Sequence, residues 1–381
     1  MRIYNCHTHI FNFACAPNGF LSNYIGKAAA EVVGRLLRVR LLRRPLNWLI
    51  GRAPFVKKYA ALVQVGTSES QDLVFRRLAS NYPENTAFVV LTLDFDHMAA
   101  GNAPAGYRTQ LELVREVKRK YPDTCLPFLC IDPRHGSMGE LTDMVKRYFD
   151  PAAHSGYVGI KLYPSLGFYP FHYNLQGVYA FAEQHGIPIM THCTRAGIYY
   201  VKEPMDPGMV QPISFNPTPR VQQRHTEGQY RYTPKTKNED FCDNFLDPVN
   251  YLDVLDKYPK LKLCIAHYGG DDEITDPKQH PGWYEIIRDE LMIDRYPNVY
   301  TDVSYTLANK DSWPAIRKDL ADPRLRQRML FGTDFFMTLK EPYTEEELYK
   351  RLETALGPAD WEQVANTNPR NYLTSSVYAA R

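Results

Sequence analysis

The first chemically suggestive feature of the sequence is the histidine pair in Cys6-His7-Thr8-His9, close to the start of the chain. Alternate side chains of a β-strand point to the same side, so a strand here would project His7 and His9 together. Two convergent imidazoles make half of a site for Zn²⁺, Mn²⁺ or Fe²⁺. Two histidines also fall at this spacing by chance, so the motif predicts a metal site only if further ligands join it.

Three further candidate ligands, His192, His267 and Asp334, each end or follow a short apolar run. If these runs are parallel strands of one barrel, their carboxyl ends meet at a single rim, where the active sites of such barrels lie. Taken singly, each residue is more readily explained as a strand-end or capping residue. Their convergence with the first pair favours a divalent metal site, most simply zinc, with manganese or iron as alternatives.

Lys161, Tyr163 and Arg195 are candidates for substrate binding. Lys161 and Tyr163 are two residues apart on one apolar run and therefore share a face. Lys161 can hold a carboxylate as a point charge, or extend to solvent as a strand-end lysine. Arg195 follows a predicted strand end, where it can bind a carboxylate or carbonyl through two hydrogen bonds; a surface arginine is the alternative.

The elements that must position these residues are eight short apolar runs, most of them followed by a loop and a helical pattern. This alternation predicts βα units, a mostly parallel sheet and, with eight units, an α/β fold of the closed (β/α)8 or TIM barrel type. The clearest helical patterns cover Thr109–Lys120, Leu141–Phe149, Leu175–Gln184 and Tyr251–Lys257. The runs are Ile3–His9, Phe88–Leu93, Leu126–Ile131, Val158–Tyr163, Ile187–His192, Leu261–His267, Val299–Val303 and Met329–Thr333.

Two connections are much longer than the others, and they follow the first and fifth predicted strands. They predict insertions of about residues 15–80 and 195–250 in a single domain that covers residues 1–381. Long connections in a compact domain are usually lids or binding loops. We therefore expect both insertions to lie beside the mouth of the barrel.

The charge of the chain is nearly balanced, with 45 Lys+Arg and 43 Asp+Glu and a net charge of +2. This balance argues against a nucleic-acid-binding protein. The segment 26–58 is an exception, with nine basic residues and one acid, and a lid or subunit contact suits it better than a membrane anchor. No apolar stretch is long enough to span a membrane, and no signal peptide is recognisable, so we expect a cytoplasmic protein.

Seven scattered cysteines without a C-x-x-C motif do not predict a disulfide scaffold. Cys6, Cys193 and Cys264 lie at odd offsets from predicted ligands, which on a strand turns a side chain to the opposite face. We therefore predict buried thiols that face the helix layer rather than ligands or nucleophiles.

In its motifs the chain resembles the amidohydrolase superfamily, and within it the amidohydrolase-2 branch, whose members are similar to aminocarboxymuconate semialdehyde decarboxylase. The motifs occur in the family's order along the whole chain, but they do not specify a substrate. They are His7-Thr-His-Ile-Phe11, Gly159-Ile-Lys-Leu-Tyr-Pro164, Pro188-Ile-Met-Thr-His192, Ala266-His-Tyr-Gly-Gly270, Gly332-Thr-Asp334 and Asn368-Pro-Arg-Asn-Tyr-Leu373.

The resemblance implies a role for each candidate residue. His7, His9 and His192 would be metal ligands, and Asp334 a ligand that can also accept a proton from water. His267 would be a second-metal ligand or a general acid/base. Lys161 would be a carbamylated bridge in a two-metal enzyme, or would line the substrate pocket in a one-metal enzyme.

These roles predict a metal-dependent hydrolase that activates water to attack an amide, lactone or ester carbonyl of a small, carboxylate-bearing substrate. The alternative is a metal-dependent decarboxylase of an aromatic or muconate-type acid, because both reactions occur in the family and a shared fold does not choose between them. A non-catalytic barrel is disfavoured because all five expected ligands and acid/base residues are present. A homodimer is the expected assembly.

Overall fold

Eight parallel strands form the centre of the molecule. The computed structural model describes residues 1–21, 61–62, 64–150, 156–195, 197–210, 219, 232–233, 235–276 and 282–379. Each strand pairs with the next along the chain, and Cys6 N donates to Phe331 O at 2.8 Å, which joins the last strand to the first. This closure confirms the predicted (β/α)8 barrel. The strands are β1 Tyr4–Thr8, β2 Ala87–Leu91, β3 Cys125–Cys130, β4 Gly159–Leu162, β5 Ile189–Thr191, β6 Leu263–Ile265, β7 Val299–Asp302 and β8 Met329–Leu330.

Helices connect the strands, and local sequence fixes several of their ends. Ser137 and Glu140 form a reciprocal capping box at the start of one helix, and Thr344 and Glu347 form another. The α-helices are α1 Gln71–Ala79, α2 Tyr107–Lys120, α3 Met138–Tyr148, α4 Gln176–His185, α5 Pro207–Val210, α6 Asn238–Leu246, α7 Leu252–Lys257, α8 Asp271–Thr275, α9 Trp283–Glu285, α10 Trp313–Asp319, α11 Pro323–Arg326, α12 Glu345–Leu356, α13 Pro358–Glu362 and α14 Asn368–Leu373. Helix α9 continues as a π-helix over Ile286–Arg295, and a second π-helix, Gln363–Thr367, joins α13 to α14.

The four helices predicted from periodicity are all present, as α2, α3, α4 and α7, with ends that differ by at most three residues. In α2 the spacing explains the packing, because Leu111, Val114 and Val117 lie three residues apart and are all buried. Most charged residues of this helix lie on its exposed side, although Lys118 is buried. Amphipathic periodicity therefore located the helices that cover the sheet.

The barrel interior is filled by one cluster of side chains drawn from seven of the eight strands, with Tyr372 of α14 beneath them. Tyr372 donates from its hydroxyl to Ile189 O at 2.9 Å, so the last helix closes the amino end of the barrel. Cys6 and Cys264 belong to this interior cluster, so the prediction that they face the helices was wrong. Cys193 does face the helix layer, where its Sγ lies 3.3 Å from Leu246 O of α6.

A bulge in β1 explains the error at Cys6. The pairing of β1 with β2 slips between Asn5 and Thr8, where β1 carries one residue more than its partner. The slip lets Cys6 and His7 both face the interior, although they are neighbours in sequence. Strict alternation along the strand therefore fails where the ligand motif begins.

The two long insertions are only partly described. All of the basic segment 26–58 and much of the stretch between α5 and α6 lie outside the described residues. Among the helices that the structure describes, none is long and apolar enough to cross a membrane.

Candidate metal centre

The carboxyl ends of β1, β5, β6 and β8 bring five predicted residues together: His7, His9, His192, His267 and Asp334. His7, His267 and Asp334 form the innermost group, and each offers a ligand atom within 4.8 Å of the others. All five residues are at most 6% exposed. The strand-end positions inferred from the sequence therefore converge on one buried site.

Asp334 lies between the two histidines of β1. Its Oδ1 is 3.3 Å from His9 Nε2 and 3.8 Å from His7 Nε2. Gly332 permits this approach of β8 to β1, since a Cβ at that position would lie 2.8 Å from His7 Cβ. The glycine of the Gly-Thr-Asp motif is thus required by close packing against the ligand strand.

In His7, His9 and His267, the ring nitrogen Nδ1 is already hydrogen-bonded to the protein. His7 Nδ1 lies 2.9 Å from Asp302 Oδ2, His9 Nδ1 lies 3.0 Å from Leu91 O, and His267 Nδ1 lies 3.0 Å from Ser304 O. Because these oxygens accept, the network assigns the ring proton to Nδ1 in all three rings. The three Nε2 atoms therefore present lone pairs.

The result is a cluster of hydrogen-bond acceptors. His7 Nε2 and His9 Nε2 both face the carboxylate of Asp334, which also accepts only. Burial lowers the pKa of His7 to about 3, although Asp302 opposes this shift, so the ring stays neutral. Burial raises the pKa of Asp334, but the neighbouring histidines outweigh it and hold that pKa below its usual range. Neutral imidazole nitrogens that converge on an ionised carboxylate fit a divalent cation.

Asp302, the last residue of β7, and Ser304, two residues after it, are functional residues that the sequence reasoning missed. Asp302 Oδ1 accepts from His267 N at 2.9 Å, while its Oδ2 bonds His7. Ser304 Oγ donates to Asp302 and lies 3.0 Å from His7 Nδ1. A carboxylate behind a metal-binding histidine fixes its tautomer and orientation. The signal was present, because Asp302 lies near the end of the apolar run Val299–Val303, as the predicted ligands lie near the ends of theirs.

His192 joins the group through His267, with 2.9 Å between His192 Nδ1 and His267 Nε2. Its ring stacks on Tyr163, with centroids 4.4 Å apart and an angle of 14° between planes. Gly197 lies against both rings at a φ of +133°, where a Cβ would come within 2.8 Å of His192 Nε2. The loop after β5 therefore packs directly on the predicted ligand and on the predicted substrate residue.

Lys161 is buried inside the barrel below the site. It is 0% exposed, and its Nζ makes no hydrogen bond within the described part of the chain. Burial lowers the pKa of Lys161 to about 8, while the charges of Asp302 and Asp334 oppose the shift. The solvent-exposed alternative for this lysine is therefore wrong.

Arg195 lies apart from the other predicted site residues. Its Nε donates to Glu273 at 2.9 Å, and its Nη1 lies 3.4 Å from Asp243. Its guanidinium also covers the ring of Trp283, 4.1 Å from the centroid. These contacts join the β5 loop to α6, α8 and α9, and a substrate contact for Arg195 stays a prediction.

Backbone strain is concentrated around the candidate centre. Among the described residues, six that are not glycine have positive φ, and five of them follow β6, β7 or β8. Such conformations cost on the order of 1–3 kcal/mol each and cluster where function demands a particular side-chain direction. The five are His267 at +70°, Tyr268 at +53°, Tyr305 at +59°, Asp334 at +60° and Phe336 at +94°.

A cavity of about 180 Å³ opens above His9, His192, His267 and Asp334. Its charged lining residues are Glu239 of α6 and Lys340, whose Nζ lies 4.6 Å above the Tyr305 ring. Four aromatic residues, Phe11, Tyr163, Tyr199 and Tyr305, form part of the remaining wall. A small planar molecule fits this chemistry, and Tyr163 is the predicted substrate residue that borders it.

Comparison with known proteins agrees with this geometry. Residues 94–373 match the amidohydrolase family model, Amidohydro_2, over well more than half of the chain. The chain belongs to the amidohydrolase family. The resemblance inferred from the motifs is therefore confirmed, and the protein is an enzyme of this family. No curated protein matches the sequence of this amidohydrolase.

Solved structures share the barrel at low sequence identity. A probable 2-pyrone-4,6-dicarboxylic acid hydrolase from Acinetobacter baumannii, with citric acid bound, is 12% identical with a TM-score of 0.52, covering 98% of this chain and 99% of that one. The 5-carboxyvanillate decarboxylase of Novosphingobium aromaticivorans, with bound manganese, is 12% identical with a TM-score of 0.50 over 98% and 97%. The 4-oxalomesaconate hydratase of Rhodopseudomonas palustris is 14% identical with a TM-score of 0.50 over 97% and 95%. At these identities the similarity shows the fold.

A second group with ligand-type side chains lies after β2 and β3 of the amidohydrolase. Asp94, Asp96 and His135 place ligand atoms within 4.8 Å of one another. Here Asp94 already bonds His135 Nε2 and accepts from Asp96 N, and only Asp94 is fully buried. The buried carboxylate of this group is hydrogen-bonded within the protein, whereas Asp334 Oδ1 makes no hydrogen bond to the described residues.

Proposed function

We propose that this amidohydrolase is a metal-dependent hydrolase acting on an amide, lactone or ester of a small, carboxylate-bearing substrate. His7, His9, His192 and Asp334 would hold the divalent ion. The proposal rests chiefly on the convergence of His7 Nε2 and His9 Nε2 on the ionised carboxylate of Asp334. When bound, such an ion polarises a carbonyl and acidifies water.

Two side chains are placed to carry protons. Asp334 is ionised, so its carboxylate can accept a proton from the attacking water. His267 has its proton on Nδ1, which donates to Ser304 O, and an unprotonated Nε2 beside His192. His267 Nε2 can therefore take a proton and later deliver it to the leaving group.

Metal content tests the first part of the proposal. We expect wild-type protein to contain close to one equivalent of a divalent metal per chain, with zinc as the expected ion and manganese or iron as alternatives. His9→Ala and Asp334→Ala should each lose most of it. His185→Ala is the matched control, because His185 ends α4 and bonds Ser376 away from the site. A wild-type protein that takes up no divalent metal under any supply would refute the proposal.

Decarboxylation of an aromatic or muconate-type acid is the second candidate reaction, and the aromatic wall of the cavity favours it. One solved structure with this fold is a decarboxylase with bound manganese. Assays on metal-replete protein separate the two reactions. Release of carbon dioxide from aromatic acids indicates decarboxylation, and ring opening of a pyrone dicarboxylate without such release indicates hydrolysis.

The assembly and location of the protein are further proposals. We expect a homodimer, in which the basic segment 26–58 covers the barrel mouth or contacts the second subunit, and a cytoplasmic location. Light scattering coupled to gel filtration measures the mass of the assembly. A monomer at all concentrations would remove the proposed subunit contact.

A further inference from the structure

A second cleft lies at the opposite end of the barrel from the candidate metal centre. Its volume is about 710 Å³, and its lining includes Tyr296 and Pro297 before β7 and Arg328 before β8. The predicted metal ligands follow the carboxyl ends of the strands, whereas these residues precede the amino ends. The cleft is therefore separated from the metal centre by the packed barrel interior.

Arg328 is the residue that makes this cleft unusual. It is 9% exposed, and its guanidinium bonds only main-chain oxygens, with Nε on Arg324 O at 2.8 Å and Nη1 on Tyr296 O at 2.9 Å. Within the described residues, Nη2 makes no hydrogen bond and no carboxylate lies within ion-pair distance of this side chain. The acid whose charge reaches it, Asp322, is bonded to Arg324 instead. Its two bonds to rigid backbone hold the guanidinium in one orientation at the cleft wall.

A buried guanidinium without an anion is energetically unfavourable. Burial lowers the pKa of Arg328, but an arginine side chain keeps its proton in proteins. Burying a charge costs free energy unless a partner of opposite charge and hydrogen bonds compensate it. The two carbonyl oxygens compensate part of this cost, and an anion in the cleft would compensate the rest.

The surroundings of Arg328 favour an organic anion. The cleft lining carries Arg295 and Arg324 in addition to Arg328, against one acid, Asp294. Arg324 is already bonded to Asp322, with 2.7 Å between Nη2 and Oδ2, so Arg295 and Arg328 exceed the one lining acid, Asp294, by a single positive charge. The volume exceeds that of a single inorganic ion, and Met292, Tyr296 and Tyr300 add apolar surface.

We propose that this cleft binds a small organic oxyanion, carrying a carboxylate or phosphate group, with Arg328 as the anchoring residue. The guanidinium fork matches both groups, because it can donate two parallel hydrogen bonds. The site is distinct from the catalytic one and makes the amino end of the barrel a binding surface. An anion bound in this cleft would leave the active site free for the substrate.

Calorimetric titration of metal-replete protein tests the proposal. The probes are pyrophosphate for the phosphate source and propane-1,2,3-tricarboxylate for the carboxylate source, and the preferred probe identifies the group. We expect Arg328→Met to weaken binding of that probe at least about tenfold, which corresponds to about 1.4 kcal/mol. Arg295→Met, an exposed change in the same cleft, should weaken it several-fold, and it covers the case in which Arg328→Met does not fold.

Two controls locate the binding. Arg119→Met removes the same charge from the exposed end of α2 and should leave affinity unchanged. His9→Ala disrupts the proposed metal centre and should also leave this binding intact, which separates the cleft from any anion bound to the metal. Two results would overturn the proposal: neither probe binds wild type, or Arg328→Met and Arg295→Met bind as tightly as wild type does.

Discussion

Replacing Glu345 by glutamine should change how the stability of the protein depends on pH. Glu345 begins α12 but is only 8% exposed, and it joins the two strands that close the barrel. Its carboxyl accepts from Tyr82 at 2.9 Å and from Thr338 at 3.1 Å, and it bonds the hydroxyl of Thr333 on the β8 side. Asn5 of β1 donates to Thr333 at 2.8 Å, which completes the network.

Burial raises the pKa of Glu345 to about 7, against partial opposition from the hydroxyl groups of Thr333, Tyr82 and Thr338. The nearby charge of Asp334 adds a smaller upward contribution. A raised pKa means that the folded state binds the proton more tightly than the unfolded state. Stability from this group is therefore full below the unfolded pKa near 4.5 and is lost as the pH rises through about 7.

The whole shift corresponds to about 3 kcal/mol, at about 1.4 kcal/mol for each pKa unit. Between about pH 5.5 and pH 8, about 2 kcal/mol of it is lost. Glutamine resembles the protonated acid and does not titrate. The difference in unfolding free energy between Glu345→Gln and wild type should therefore shift by about 2 kcal/mol in favour of the variant over this range.

Urea denaturation of both proteins at the two pH values measures this difference. All other titrating groups are common to both proteins, so their contributions cancel. Glu353→Gln, on the same helix and outside the network, is the control and should show a difference that does not depend on pH in this way. If the stability difference between Glu345→Gln and wild type is the same at both pH values, the inferred pKa of Glu345 is wrong.

Four other predictions concern the site. Asp302→Asn should weaken metal binding by about 10- to 100-fold in a chelator competition, because the acceptor that fixes the His7 ring is lost. Gly197→Ala should lower stability by about 1–3 kcal/mol in denaturant and reduce turnover, since alanine is strained at a φ of +133°. Lys340→Met should raise KM for a carboxylate substrate more than kcat falls, while the exposed Lys350→Met should change neither. Chelation should lower the thermal midpoint, because the ion binds only the folded chain.

The sequence was sufficient to predict the barrel because each strand is buried on both faces. Such strands read as short apolar runs, and all eight runs overlap an observed strand. The site followed from the same rule, since His192 and Asp334 lie just beyond their strands and the barrel brings those ends together. The strands follow one another in the sheet in the same order as in the chain, so each strand pairs with its neighbour in sequence.

The residues that were missed or misplaced depend on interactions that no local pattern contains. The bulge that lets His7 face the interior beside Cys6 arises where β1 pairs with β2, and alternation within one strand cannot reveal it. Arg195 has the position of a substrate-binding residue, but its guanidinium bonds Glu273 of α8, which lies 78 positions later in the chain. Asp302 had the right position, and its role became evident only when β7 was placed beside His7.

The two ends of the barrel carry buried polar groups whose charges call for ligands of opposite sign. At the carboxyl ends, lone pairs of His7 and His9 converge on the anionic Asp334, an arrangement that a cation satisfies. At the amino ends, Arg328 is a buried cation bonded only to carbonyl oxygens, an arrangement that an anion satisfies. Neither arrangement helps the fold, because well-packed apolar side chains would stabilise the same positions at lower cost. Ligands of opposite charge at the two ends explain both sets of residues, and the packed interior lets each end be tested without disturbing the other.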